Sequence, residues 1–439
     1  MTEATGGKKL RGVEAALLIW ERVSRGAMVS ESLRKLGDRV SPTDRVLAAS
    51  LCYALARRLS LWTDLRERFM LPRPSRFSRA AQLAVLVGIS GLLELEHFAP
   101  AVLISSLVDW TKVRDPRGAR VVNAVLRRAL EEGPSELERL RADDSLPSLC
   151  LLCGVPTWIG ERWTAQFGDE MGRRLIRSHS GSAAMSLRLS PDAPRELPDQ
   201  LRQKGLTVSE SPLPEGLRID GSPLPSALPG YEEGWFTPQS ESSISVGYAA
   251  ADFEGTRLLD MCAGRCVKSG QIAQLRPDVS IEAWDLSSGR IAAARHELER
   301  LDLSDRVELK VGDALELEPS QAPDAVFVDA PCSGSGTWRR HPEGKWRLTE
   351  DGLKALSNLQ FRLLTRAFAL ARSGGKVVYS TCSLLMEENE EVVAAALKST
   401  GGHVVDVTLP DEALHVGNGW MFTPNSPWSD GFYLAAFTK

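Results

Sequence analysis

From Thr256 onward, short apolar runs alternate with helical patterns, and no other feature of the sequence constrains the fold as strongly. The runs fall at 258–260, 281–286, 307–311, 325–328 and 376–379. Amphipathic stretches lie between them, as at 289–301 and 353–371, and an apolar run at 432–439 closes the sheet. Such alternation predicts right-handed βαβ units and a mostly parallel sheet with helices on both faces. The expected fold class is therefore a Rossmann-like α/β domain.

In an open α/β sheet, ligands bind beyond the carboxyl ends of the strands. The first predicted strand ends in Asp260 and is followed by Met261, Cys262, Ala263, Gly264, Arg265, Cys266, Val267 and Lys268. The second ends in Asp285 and the third leads to Asp313. The fourth ends in Asp329-Ala330-Pro331-Cys332, and the fifth in Ser380-Thr381-Cys382. Aspartate is a poor strand former, and a single one at a strand end is ordinary capping. Four in succession point to a site. A carboxylate after the second strand suits the diol of a ribose. One after the third can accept from an adenine amino group. These needs describe an adenosine-containing cofactor, either a dinucleotide or S-adenosylmethionine. The first loop lacks the G-x-G-x-x-G fingerprint, which counts against a dinucleotide, and it lacks a phosphate-binding P-loop. No metal is expected.

The two strand-end cysteines suggest the chemistry. A thiolate is a strong nucleophile once cationic or dipolar neighbours lower its pKa. C5 of cytosine is too weak a nucleophile to accept a methyl group. Addition of a thiolate at C6 makes the ring enamine-like and activates C5. N3 must receive a proton or hydrogen bond as this happens, a task for a carboxylic acid such as Asp329. A base then removes the C5 proton and the thiolate leaves. The competing reading is that both cysteines are small buried hydrophobes. Their setting, Pro331-Cys332-Ser333 and Thr381-Cys382-Ser383, favours chemistry.

Residues 11–130 read as helices. Apolar residues recur three and four apart in Val13, Ala16, Leu17, Trp20 and Val23, in Leu47, Leu51 and Leu55, and around Ala84, Leu86, Ile89 and Leu92. Ser41-Pro42-Thr43-Asp44 predicts the start of a helix running to about 60. Breaks fall at Pro72, Pro74, Pro100 and Asp115-Pro116. A charged helical connector follows over 131–180, and 182–232, rich in Pro and Ser, reads as a small α/β subdomain. Charge is uneven: residues 1–140 hold 23 Lys and Arg against 16 Asp and Glu, a net +7, and the rest holds 30 against 41, a net −11. One basic cluster comprises Arg66, Arg68, Arg73, Arg76 and Arg79, and a second Arg114, Arg117, Arg120, Arg127 and Arg128. These read either as solvated helix surface or as an RNA-binding face. Seven cysteines, an odd number in a long chain, argue for free thiols in a reducing compartment. No membrane-length apolar run and no secretory h-region are visible, so a cytoplasmic location is expected.

Asp329-Ala-Pro-Cys-Ser-Gly-Ser-Gly and Tyr379-Ser-Thr-Cys-Ser resemble the two signature motifs of the RsmB/Nop/Sun family of S-adenosylmethionine-dependent RNA cytosine-5 methyltransferases. Arg339-Arg340-His341-Pro342-Glu343 with Lys345-Trp346-Arg347, and Leu359-Gln360, resemble its bacterial RsmB (Sun/Fmu) branch. Trp428-Ser-Asp-Gly-Phe-Tyr is similar to the family's closing strand. Asp44-Arg45 and the stretch from Val122-Asn123 to Arg127 resemble the NusB-like RNA-binding domain fused to that branch. Gly234-Trp-Phe-Thr-Pro-Gln239 with Ser243 resembles the entry into the catalytic domain. The resemblance implies a NusB-like helical domain over 1–140, a connector and small α/β subdomain over 141–232, and a methyltransferase domain over 233–439. It implies Cys382 as the nucleophile, Cys332 as the thiol assisting release, and Asp329 as the contact to cytosine beside the cofactor. Residues 262–268, Asp285, Asp313 and Asp329 would line S-adenosylmethionine. The expected partner is RNA, foremost small-subunit ribosomal RNA, and the expected state is a monomer.

The family's first loop usually reads Cys-Ala-Ala-Pro-Gly-Gly-Lys-Thr, whereas here Arg265, Cys266 and Val267 interrupt it. Either Gly264 relocates the flexible turn, or the cofactor site is weakened and a β-branched Val267 is strained at a positive φ. A weakened site would make the chain a non-catalytic RNA-binding or ribosome-assembly factor. A methyltransferase acting on tRNA is the other alternative.

Overall fold

The structure, a computed structural model, describes residues 10–70, 77–96, 99–409 and 413–439. Pro72, Arg73, Pro74 and Arg76 lie outside the described residues. The chain divides into two compact units: residues 1–181 with Trp338–Arg347, and residues 182–337 with Leu348–Lys439.

The first unit is helical. Its helices are Gly12–Val23 (α1), Val29–Arg34 (α2), Pro42–Arg57 (α3), Leu59–Phe69 (α4), Arg79–Glu94 (α5), Pro100–Arg114 (α6), Pro116–Ala142 (α7), Leu146–Cys153 (α8) and Thr157–Ser178 (α9). Local chemistry sets their ends. The Ser41 side chain accepts from the Asp44 N–H at 3.1 Å, with Pro42 opening α3. Asp115 caps α7 through the Gly118 N–H at 2.8 Å. Gly154, left-handed at φ +63°, ends α8. The apolar stripes of α1, α3, α5 and α7 meet in one core that includes Leu17, Leu51, Leu55, Trp62, Leu107 and Leu126.

Trp338–Arg347 also belongs to this unit, although its sequence lies between two strands of the other unit. Trp338 packs near Trp163, with ring centroids 6.0 Å apart. Glu343 accepts from the Val29 N–H at 2.9 Å, and Trp346 Nε1 donates to Ala56 O at 2.5 Å. Arg347 donates to the carbonyls of Val23 and Ala27. Lys345 is fully buried. Burial first, then the charges of Arg57 and Arg58, push its ammonium down to about 7.

The second unit opens with a small sheet of order β2-β3-β1-β4, from Met185–Leu189 (β1), Val208–Glu210 (β2), Gly216–Ile219 (β3) and Phe236–Pro238 (β4), with Leu197–Gln203 (α10). Glu241–Ala251 (α11) leads into the main sheet. This is built from Arg257–Asp260 (β5), Ser280–Asp285 (β6), Val307–Val311 (β7), Ala325–Asp329 (β8), Lys376–Thr381 (β9), His403–Val404 (β10), Leu414–Val416 (β11), Gly419–Phe422 (β12) and Phe432–Thr438 (β13). The helices Val267–Leu275 (α12), Ser288–Arg300 (α13), Glu350–Leu370 (α14) and Glu390–Thr400 (α15) complete the unit. The strand order is β11-β12-β13-β9-β8-β5-β6-β7, with β10 pairing β13. The strands β7, β6, β5, β8 and β9 are parallel, and β13 is antiparallel to β9. The order reverses between β5 and β8, so the switch-point crevice lies at their carboxyl ends.

The expectation that 432–439 closes the sheet needs one correction. β13 is an interior strand, and the hairpin β11–β12 lies beyond it. That hairpin turns on Gly417-Asn418, with Gly417 at φ +55°, a turn signal present in the sequence. The flanking strands are too short to show an alternation.

Candidate active site

The β5–α12 loop is shaped by two positive-φ residues, Gly264 at +59° and Cys266 at +57°. Of the two sequence readings, a turn relocated to Gly264 or strain at Val267, the second does not hold: Val267 opens α12, and beside Gly264 the positive φ falls on buried Cys266. A Cβ on Gly264 would meet nothing within 4 Å, so open space adjoins the loop there. The Gly264 N–H donates to Asp285 Oδ2 at 3.0 Å, and the Ser287 N–H to Asp285 Oδ1 at 2.8 Å. Asp313 accepts from the Leu315 N–H at 2.9 Å. The neighbouring Gly312 N–H donates to Asp285 O, which ties the ends of β6 and β7 together.

Asp260 is buried and accepts from the Cys262 N–H at 3.2 Å and from Ser269 Oγ at 2.6 Å. Burial raises its carboxyl to about 7, with the charge of Asp329 adding to the effect. Lys268, on the first turn of α12, reaches Asp329 Oδ2 at 2.6 Å, while Ser380 Oγ donates to Asp329 Oδ1 at 2.9 Å. Burial alone would lower the Lys268 ammonium. The charge and hydrogen bond of Asp329 outweigh it, so the net shift is upward and the amine stays charged.

The β8 and β9 loops bring the Cys332 and Cys382 sulfurs to 3.3 Å. Both cysteines are free and partly exposed. The hydrogen bond to Cys382 first, then burial, pushes the Cys332 thiol well up. Behind the sulfurs lies fully buried Glu388. Its carboxylate accepts from the Ser333 N–H at 2.8 Å, Ser333 Oγ at 2.5 Å, Ser383 Oγ at 2.5 Å and Gln360 Nε2 at 3.0 Å.

Two family models match the chain: "NusB family" over residues 14–131 and "16S rRNA methyltransferase RsmB/F" over residues 249–438. The ribosomal RNA small subunit methyltransferase B of Xanthomonas campestris pv. campestris is 31% identical over 405 residues, covering 91% of this chain and 90% of that protein. The chain belongs to the ribosomal RNA small subunit methyltransferase B family. The Escherichia coli O6:K15:H31 member is 28% identical over 444 residues, covering 98% of this chain and all of its own length. The fold is shared with PH0851, a solved structure with a TM-score of 0.82 at 23% identity, covering 98% of this chain and 100% of that one.

In this family member, 262–268, Asp285, Asp313, Asp329, Cys332 and Cys382 all lie at the carboxyl edge of one sheet, within the second unit. Arg265 is exposed at the rim of the loop. Sequence reasoning missed Glu388, because nothing in Met386-Glu387-Glu388-Asn389 marks which acid turns inward. It also missed Leu286, which follows Asp285 and leaves 74% of its surface exposed. A large apolar side chain directly after a strand-end acid was the available signal. Among the described residues, no cluster of His, Cys, Asp and Glu could hold a metal, and no helix is long and apolar enough to cross a membrane.

Proposed function

We propose that the protein transfers a methyl group from S-adenosylmethionine to C5 of a cytosine in small-subunit ribosomal RNA through a covalent bond between Cys382 and C6. The observation that carries this reading is the pair of sulfurs 3.3 Å apart beside the Lys268–Asp329 ion pair. A buried structural cysteine has no use for a second thiol and a charged lysine at a switch-point crevice.

The residues fit the cofactor. The open space at Gly264 leaves room against the loop backbone, Asp285 stands where a ribose diol would be held, and Asp313 lies where an amino group can be met. Exposed Leu286 offers an apolar face to a flat base. When bound, the cofactor supplies the methyl group on a sulfonium.

The thiolate of Cys382 adds to C6, and electron density moves toward N3. The Lys268–Asp329 pair answers that charge: the Lys268 ammonium stabilises it and gives up the proton, which Asp329 relays to N3. After C5 is methylated, a base takes the C5 proton and the C5–C6 double bond re-forms. The C6–Sγ bond breaks with its electron pair returning to Cys382. Cys332, held as a thiol against Cys382, assists that departure.

The helical unit supplies RNA contacts. Arg114, Arg117, Arg120 and Arg127 are exposed along α6 and α7. Of the described residues in the other basic cluster, Arg66 pairs with Glu67, Arg68 pairs with Asp64 and Glu136, and Arg79 donates to Ser24 Oγ.

Mass mapping of 5-methylcytosine in total RNA from cells with and without the gene tests the proposal. Loss of one modified cytosine in small-subunit RNA is the expected result. A loss confined to tRNA would move the substrate to tRNA, and no change would leave a non-catalytic RNA-binding factor.

A further inference from the structure

We infer that Glu388 is the positioning residue that sets Cys332 against Cys382, so that release of the methylated RNA depends on its carboxylate; the inference rests on the thiol roles proposed above. Glu388 precedes α15 and lies beneath both cysteine loops. Its four hydrogen bonds reach the residue after each cysteine: Ser333 twice and Ser383 once, with Gln360 as the fourth donor. Gln360 also donates to Pro331 O at 2.9 Å, directly before Cys332. The backbone carbonyl of Glu388 is fixed in turn by the Tyr379 hydroxyl of β9 at 2.7 Å. Charge-assisted bonds of this kind are short and strong, and a buried donor deprived of its acceptor is costly.

The two loops do not depend on Glu388 equally. The Cys382 loop has two holds of its own, Thr381 Oγ1 donating to Asn389 at 2.6 Å and Asn389 Nδ2 to Ser383 O at 3.0 Å, while the Gly336 N–H to Cys382 O bond at 2.9 Å and the contacts of the Ser333 and Ser335 hydroxyls with Ser383 Oγ at 3.2 and 3.1 Å tie the two loops to each other. The Cys332 loop receives two of the four bonds to Glu388, both through Ser333, and a third hold through Gln360. Removing the carboxylate therefore loosens the releasing thiol more than the attacking one. Its negative charge is also among the causes that keep Cys332 protonated.

The test uses the full chain, methyl-labelled S-adenosylmethionine and unmodified small-subunit ribosomal RNA. Glu388→Gln keeps the shape and removes the charge. Attack and methyl transfer should persist. Protein–RNA adduct surviving denaturation should rise about tenfold and turnover should fall to match, the effect of removing one charge-assisted bond. Alkylation of Cys332, followed by peptide mapping, should shift to lower pH. An unchanged adduct fraction with an unchanged alkylation profile would overturn the inference. Should Glu388→Gln not fold, Ser333→Ala removes one bond to the carboxylate and must raise the adduct in the same direction; no rise there overturns the inference equally. If Cys332→Ala itself traps no adduct, the thiol roles fail, and the alkylation profile of Glu388→Gln still decides whether Glu388 governs Cys332.

Discussion

At Cys266 the backbone takes a left-handed conformation that costs an L-residue on the order of 1–2 kcal/mol. The sequence shows that this loop departs from its family's glycine pattern, but not which residue absorbs the departure; the first turn of α12 decides that by fixing Val267 as helical. The strand-end acids and both cysteines were legible because each follows an apolar run by position alone. Glu388 and Leu286 were not, since burial of an acid and exposure of a leucine are tertiary outcomes. Asp285→Ala should weaken S-adenosylmethionine binding by about 1.5–3 kcal/mol, measured by titration calorimetry. Gly264→Ala should weaken it too, because the added methyl enters the open space and φ +59° disfavours it. Cys382→Ala should abolish methyl transfer and form no adduct with RNA, whereas Cys332→Ala should methylate and remain attached, visible as a slow band on a denaturing gel. The reverse pattern would exchange the two roles.

Among the elements, the parallel strands declare themselves by length and apolar content, and their observed limits differ from those read in the sequence by only one or two residues. Trp338–Arg347 does not declare itself at all. It is polar and basic apart from Trp338, Pro342 and Trp346, and it follows the Cys332 loop directly in sequence, yet it fills part of a helical core. Its burial leaves Lys345 among Arg57, Arg58, Cys153 and Glu94. The folded-state ammonium titrates near 7 and the unfolded one near 10.5, so between those values the unfolded chain holds more protons. Stability of the helical unit should therefore rise as pH increases from 7 toward 10.5, and the whole penalty is present below 7. Lys345→Met should raise the thermal midpoint at pH 6, by a stabilisation of a few kcal/mol, with the gain shrinking by pH 10. A gain independent of pH would mean that Lys345 is uncharged throughout.

For the whole molecule, net charge near neutrality conceals a basic helical unit, and only the separation of the two halves of the sequence reveals it. Which arginines are available is a matter of tertiary pairing and could not be read from spacing: Arg68 is engaged by Asp64 and Glu136, while Arg117, Arg120 and Arg127 face water. Replacing those three by alanine should reduce the log–log salt slope of RNA binding by roughly 0.7–0.9 for each phosphate no longer neutralised, measured by filter binding across a salt series. An unchanged slope would make this face solvated surface. The Trp338–Arg347 segment carries one more consequence, in time rather than in space. A nascent chain presents residues 1–181 to the solvent well before Trp338 exists. At about 5–20 residues per second, the ribosome needs roughly 8–30 s to add the 156 residues between Gly181 and Trp338. For that interval the helical unit lacks the Trp338 ring beside Trp163 and the side-chain partners of the Val29 N–H and the Ala56 carbonyl. The last ten residues of its packing thus arrive only after β8 has been synthesised.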